Sequence, residues 1–171
     1  MGTHTTRVGD VQAVLDGVRR IVQALRASSR RAEQHVGLSG AQLFVLQRLA
    51  DAPALSMNEL AARTHTHQSS VSTVVAKLVD KGLVRRTPAA DDARRVELSL
   101  APPARRVVGR GPDVAQARLV EAVEGLAPAR RRQLAATLAE LAQAMDADAR
   151  PPRMFFEERG RAPRRAARRP A

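Results

Sequence analysis

The 171-residue chain has no cysteine, no tryptophan and no tyrosine. Without thiols, disulfide staples, thiolate nucleophiles and sulfur-ligated zinc or iron–sulfur centres are excluded. The three aromatics, Phe44, Phe155 and Phe156, are too few for a β-sandwich, whose sheets draw on aromatic and β-branched residues. No apolar run approaches the roughly 20 residues of a membrane-spanning helix. The first ten residues are polar and lack the hydrophobic core of a signal peptide. A soluble, cytoplasmic chain with no membrane partner is expected. Lysine is nearly absent too, with only Lys77 and Lys81, so the positive charge is carried by arginine.

The residues present point to helices. The apolar fraction of 44% leans on 32 alanines, the residue that costs least in a helix. The length suits one compact domain or two small ones with a core large enough to fold unaided. There are 29 basic and 17 acidic residues, giving a formal charge of +12. Such an excess suits a polyanionic partner, nucleic acid first, against the blander reading of an arginine-rich proteome. Half of the excess lies in residues 150–171, which hold eight Arg and two Glu. That segment lacks periodic apolar residues and is expected to be a disordered Arg-rich tail. Met154, Phe155 and Phe156 are its exception, a short apolar anchor able to dock on the body.

Val11, Leu15, Val18, Val22 and Leu25 recur at steps of three and four, which predicts a helix over about 10–33 with one apolar stripe. Gly37 breaks it, and Ser39 is placed to cap a second helix over 40–50 with Leu43, Leu46 and Leu49 inward. Residues 103–125 read as another helix, bent by Gly109, Gly111 and Pro112. Leu134, Leu138, Leu141 and Met145 form a further stripe on a helix that Pro128 starts and Pro151 ends. The two terminal stripes suit either a monomeric bundle or a homodimer seam.

The central segment carries the functional signal. Ser56-Met57-Asn58-Glu59 matches a capping box, opening a short helix with Leu60 and Ala61 inward. A polar turn, His65-Thr66-His67, leads to a second helix over 68–81, with Val71, Val75, Leu78 and Val79 buried and Gly82 as its left-handed stop. Two short helices across a tight turn form a helix-turn-helix. The second helix's outer face offers Gln68, Ser69, Ser72, Thr73 and Lys77, slender polar groups without carboxylates. A helix entering the major groove needs such donors and acceptors without repelling phosphates. Beyond Gly82 the pattern alternates: residues 83–87 and 95–100 read as paired strands with Val96, Leu98 and Leu100 on one face. Arg94 and Arg95 at the tip of this wing can reach a minor groove. Asp92, two positions before Arg94, can hold its guanidinium by a bidentate pair.

With those elements in order, the sequence resembles the MarR family of winged helix-turn-helix regulators. The matching words are GLSGAQLFVLQRL at 37–49, SMNELAARTHTHQSSVSTVVAKLVDKGLVRR at 56–86, DARRVELSL at 92–100 and GLAPARRRQL at 125–134. The resemblance implies an α+β, predominantly helical fold: a winged helix-turn-helix at 51–100, with a helical dimerisation region from both termini, 7–50 and 101–149. It implies a homodimer on a palindromic operator in double-stranded DNA, acting as a repressor released by a small-molecule effector. It also implies that Gln68, Ser69, Ser70, Ser72, Thr73 and Lys77 lie on the recognition helix. Arg85 and Arg86 would sit beside the DNA backbone, and Arg94 would be the wing arginine held by Asp92. Thiol-based oxidant sensing does not carry over to a chain without cysteine. Ala127 departs from the pattern, where a capping Ser or Thr is usual, and so does the tail.

No phosphate-cradling glycine loop, Ser–His–Asp signature or paired carboxylate register is present, so no enzyme and no cofactor are expected. His65 and His67 lack a carboxylate at helical ligand spacing, which favours a surface or phosphate contact over a metal. His35, at the junction of the first two helices, is a candidate ligand-pocket residue, although a loop-capping role is the plainer one. The alternative function is an architectural protein that coats DNA without sequence preference. The carboxylate-free recognition face favours the specific reader.

Overall fold

The computed structural model describes residues 3–52, 55–88, 96–147 and 152–157. Helix α1 (Thr3–Val36) is followed by α2 (Gly40–Asp51), strand β1 (Leu55–Ser56), α3 (Met57–Arg63) and α4 (Gln68–Asp80). Strands β2 (Val84–Pro88) and β3 (Val96–Leu100) come next, then α5 (Pro102–Arg110), α6 (Ala115–Glu124) and α7 (Pro128–Ala144). The strands form one antiparallel sheet in the order β1-β3-β2. In the hairpin, Val84 faces Leu100 and Arg86 faces Leu98; in the outer pair, Leu55 faces Leu98.

Local chemistry sets the helix ends. Ser39 and Ser56 both close full capping boxes, with Gln42 and Glu59 answering the cap backbone. Glycine with positive φ follows α1 at Gly37 and α4 at Gly82. At Gly82 the left-handed residue lets Leu83 N–H reach the Leu78 carbonyl and Gly82 N–H reach that of Val79. This double closure satisfies otherwise orphaned carbonyls and brings buried Leu78 and Leu83 together. Where sequence reasoning expects one bent helix over 103–125, there are two. Gly111 and Pro112 end α5 and α6 begins afresh at Ala115, because proline can neither donate nor tolerate the preceding turn.

Two starts are capped from a distance. Val114 offers α6 no side-chain cap, and the Ala115 N–H donates instead to Ser28 Oγ at 2.9 Å. Its neighbour Ser29 accepts from the Gly40 N–H at 3.0 Å. This buried serine pair joins α1 to both α6 and α2.

The core is built around α2, whose Leu43, Phe44, Val45, Leu46 and Leu49 are fully buried. They share one cluster with Leu60, Val71, Val75, Leu78, Leu98 and Ala104. Although α2 falls within the expected 7–50 region, it packs against α3, α4 and β3 and serves as the back wall of the winged helix.

The terminal helices contrast with this core. In α1, Val8, Val11, Val14, Leu15, Val18 and Ile21 are 44–69% exposed, and the stripe turns inward only at Leu25. Helix α7 buries no residue, and Leu134, Leu138 and Leu141 are 40–51% exposed. Of the residues in these two stripes, Leu25 alone is buried within the chain among the described residues.

Candidate nucleic-acid interface

The two helices of the helix-turn-helix are set by the turn between them. Thr66 N–H bonds the Ala61 carbonyl and His65 N–H that of Ala62, with His65 left-handed at φ 48°. This is the same double closure as at Gly82, but made by a residue with a Cβ. Buried Thr64 donates its hydroxyl to the Leu60 carbonyl at 2.8 Å and contacts Thr66 Oγ1 at 2.9 Å. His67 then supplies the non-helical backbone before α4, and its carbonyl accepts from the Ser70 and Val71 N–H groups. The turn is therefore held by its own backbone and hydroxyls, giving α4 a fixed exit direction.

Burial of Val71, Val74, Val75 and Leu78 fixes which side of α4 faces out. Gln68, Ser69 and Thr73 are exposed, and Ser72 and Lys77 are half-exposed. Thr73 donates its hydroxyl to the Ser69 carbonyl at 3.1 Å, and its oxygen can still accept a hydrogen bond. No carboxylate occurs on α4 before Asp80 at its last position.

Ser70 corrects the sequence reading. It is 7% exposed and donates to the Pro152 carbonyl at 3.1 Å, so it holds the C-terminal segment and not a base edge. Arg85 and Arg86 are both exposed on β2, and pleat alternation sends them to opposite faces. Asp92, Arg94 and Arg95 lie outside the described residues, as does the tail beyond residue 157. His35 is exposed, and its Nδ1 lies 2.8 Å from the Arg31 carbonyl of its own helix.

Two features were missed from the sequence. His65 Nε2 lies 2.9 Å from Glu124 Oε1, linking the helix-turn-helix to the end of α6. Beside this pair, a cleft of about 510 Å³ runs between the turn, α6 and the C-terminal segment, lined by residues including Thr66, Gln116, Leu119, Val120 and Phe155. No single stretch of sequence encodes either, since His65 and Glu124 are 59 positions apart and the cleft is lined from three separate stretches, 61–67, 116–120 and 152–155. Of the expected apolar anchor, Met154 docks, 3% exposed within the core cluster, while Phe155 is 50% exposed and Phe156 half-buried. Among the described residues, no three metal-ligating side chains come together, and no helix is long and apolar enough to cross a membrane.

Residues 36–95 match the family model described as MarR family. Over this region the chain is similar to the MarR family. It is 31% identical over 93 residues to the HTH-type transcriptional repressor MdtR of Bacillus subtilis (strain 168), covering 54% of this chain and 58% of that one. The chain thus spans little more than half the length of that relative. Among solved structures it is similar to BpsR of Bordetella bronchiseptica, described with regulation of its DNA binding by 6-hydroxynicotinic acid. That match has a TM-score of 0.52 at 24% identity, over 77% of this chain and 91% of that one. A mutant MarR from E. coli complexed with operator DNA matches with a TM-score of 0.51 at 20% identity, over 75% and 95% of the two chains. These neighbours share the fold, a helix-turn-helix with a strand hairpin flanked by helices.

Proposed function

We propose that this chain is a sequence-specific, double-stranded-DNA-binding transcriptional regulator. It works as a cytoplasmic homodimer that represses from a palindromic operator and is released by a small-molecule effector. The observation that carries this reading is the outer face of α4. Gln68, Ser69, Ser72, Thr73 and Lys77 stand outward on a rigid helix-turn-helix with no carboxylate until Asp80. Such a face can enter a major groove and offer hydrogen bonds to base edges. The exposed stripes of α1 and α7 support the dimer, because solvent-exposed apolar seams of this length are stabilised by burial against a second copy. MdtR, named a repressor, and the E. coli MarR bound to operator DNA support the assignment. BpsR, tied to a small ligand, makes the cleft of about 510 Å³ a better effector site than His35.

In this reading the DNA-binding module is 51–100, backed by α2, and the helical arms on either side form the dimer. Arg85 and Arg86 flank the DNA backbone, and Arg94 and Arg95 add to the phosphate contacts. The chemistry is binding and release, with no catalytic step.

Selection of bound duplexes from a random-sequence DNA pool tests the proposal. The expected result is a two-fold-symmetric motif with half-sites about 10–10.5 bp apart. Gln68→Ala or Ser69→Ala is expected to cost about 1–3 kcal/mol on that motif and relax its base preference. Arg94→Ala is expected to lower the salt slope by about one per wing. A pool with no motif, together with variants that weaken all duplexes equally, supports the architectural alternative and overturns this one.

A further inference from the structure

The cleft between the helix-turn-helix, α6 and the C-terminal segment contains a polar group with nothing to bond. Gln116 is 7% exposed and lines the cleft, yet its side-chain amide makes no hydrogen bond among the described residues. The other buried polar side chains, Ser28, Ser29, Ser39, Gln42, Thr64 and Ser70, each make at least one. A buried amide left bare costs free energy, so its pairing falls to a group from outside the chain. Gln116 stands at the start of α6, which the bond from Ala115 to Ser28 fixes in place. Leu119 and Val120 share its helix face at steps of three and four.

The surroundings of this amide select what can pair with it. Ala61 and Ala62 of α3, Leu119 and Val120 of α6, and Phe155 of the C-terminal segment give the cleft apolar walls. The Phe155 ring is 50% exposed, an open flat surface on which a planar ring can stack. The ionisable groups of the lining, His65, His67 and Arg153, are all exposed, and His65 is engaged by Glu124 at 2.9 Å. No buried ionic group among the lining residues is therefore available to match a ligand charge. A carboxamide offers Gln116 both a donor and an acceptor, whereas a carboxylate only accepts and leaves the Gln116 carbonyl bare. The volume of about 510 Å³ falls within the roughly 300–1,000 Å³ of small-molecule sites.

We propose that the cleft takes a flat, uncharged compound with an amide or lactam edge, paired by Gln116 and stacked on Phe155, which rests on the effector reading of this cleft and gives that effector its chemistry. The wall that carries Phe155 also reaches α4. Met154 belongs to the core cluster with Val71 and Val74, and Ser70 Oγ donates to the Pro152 carbonyl at 3.1 Å. A compound seated on Phe155 therefore bears on the segment bonded to the helix proposed to read bases. Binding depends on Gln116 and Phe155, while its consequence at DNA runs through Ser70, so the two fail separately.

The test uses the full chain, with a naphthalene carboxamide and the corresponding naphthalene carboxylate as probes. The chain has no tryptophan or tyrosine, so naphthalene fluorescence is read without interference. The carboxamide is expected to bind at least tenfold tighter than the carboxylate. Gln116→Leu keeps the bulk and removes both polar atoms, and should weaken the carboxamide at least tenfold and abolish the preference. Phe155→Ala, at a half-exposed position, should weaken both probes about tenfold, and it keeps the test decisive if the Gln116 variant unfolds. Equal affinity for the two probes, or a preference for the carboxylate, overturns the ligand class. Native carboxamide affinity in both Gln116→Leu and Phe155→Ala overturns the site. The consequence is read separately, as binding to a labelled random-sequence duplex. Saturating carboxamide is expected to weaken that binding at least fivefold in the native chain and less than twofold in Ser70→Ala. Equal weakening in both overturns the route through Ser70. Gln116-dependent carboxamide binding that leaves duplex affinity unchanged supports the site and overturns the effector reading.

Discussion

The winged helix and the terminal arms have similar apolar spacing but opposite surroundings. In α2 and α4 the leucines and valines, apart from half-buried Val79, are closed off from solvent within one chain. In the first two-thirds of α1 and along α7, residues of the same kind and period stand exposed. Periodicity reports that a helix has an apolar face; it does not report whose surface covers it. Helix α1 passes from one regime to the other: it is arm up to Ile21 and head from Leu25. At Ser28 and Ser29 it bonds to the starts of α6 and α2. One helix thus couples the proposed dimer seam to the head proposed to read DNA.

The largest effect separates head from arm. Leu46, fully buried at the centre of the cluster, is expected to cost about 2–5 kcal/mol on Leu46→Ala, since the loss includes a cavity. Urea unfolding should show this loss at any protein concentration. If instead the loss disappears at high concentration, α2 belongs to the dimer seam and the division into head and arm is wrong.

Next comes the arm. Leu138, 51% exposed on α7, loses nothing within its own chain when replaced. Leu138→Glu is therefore expected to leave the head folded and raise the dimer dissociation constant at least 100-fold, about 3 kcal/mol. Analytical ultracentrifugation reads the mass and circular dichroism the helix content. A variant that remains dimeric, or one that unfolds as a monomer, breaks the comparison.

The boundary between the two regions should show a smaller loss. Ser29→Ala removes the acceptor for the Gly40 N–H at a buried site, and an orphaned donor there costs about 1–3 kcal/mol. Ser56→Ala removes an exposed cap whose N–H groups can turn to water, so it should cost less, about 1 kcal/mol. Equal costs would mean that burial of the α1–α2 junction adds nothing.

How much of this the sequence disclosed depends on the range of each interaction. Capping boxes at Ser39 and Ser56 and the stop at Gly82 lie within a few residues and were legible. So was the helix-turn-helix, because its two apolar faces and its polar face each repeat locally. Ser28 and Ser29 were not, because the helix starts they cap are respectively 87 and 11 positions away. Strand β1 has only two residues, and its pairing with β3 crosses the whole helix-turn-helix. Ser70 was misjudged for the same reason. On a helical wheel it flanks the reading face, and only the partner 82 residues later turns it inward.

The smallest effect lies in the turn at His65, where head meets α6. A left-handed residue with a Cβ costs roughly 1–2 kcal/mol relative to glycine in that conformation. Against this, glycine adds unfolded-state freedom worth about 0.4–1 kcal/mol. The contact with Glu124, both side chains more than half exposed, is worth about 0–1 kcal/mol. With the exposed contact at the low end of its range, backbone strain is the greatest of the three effects, so His65→Gly is expected to stabilise by between zero and about 1.6 kcal/mol, while Glu124→Gln costs under about 0.5 kcal/mol. In a double-mutant cycle measured by urea unfolding, Glu124→Gln should have no further effect once His65 is glycine. If His65→Gly destabilises while Glu124→Gln costs as much, the pair outweighs the backbone. The head would then be fixed to α6 by that contact and not by the turn's own closure.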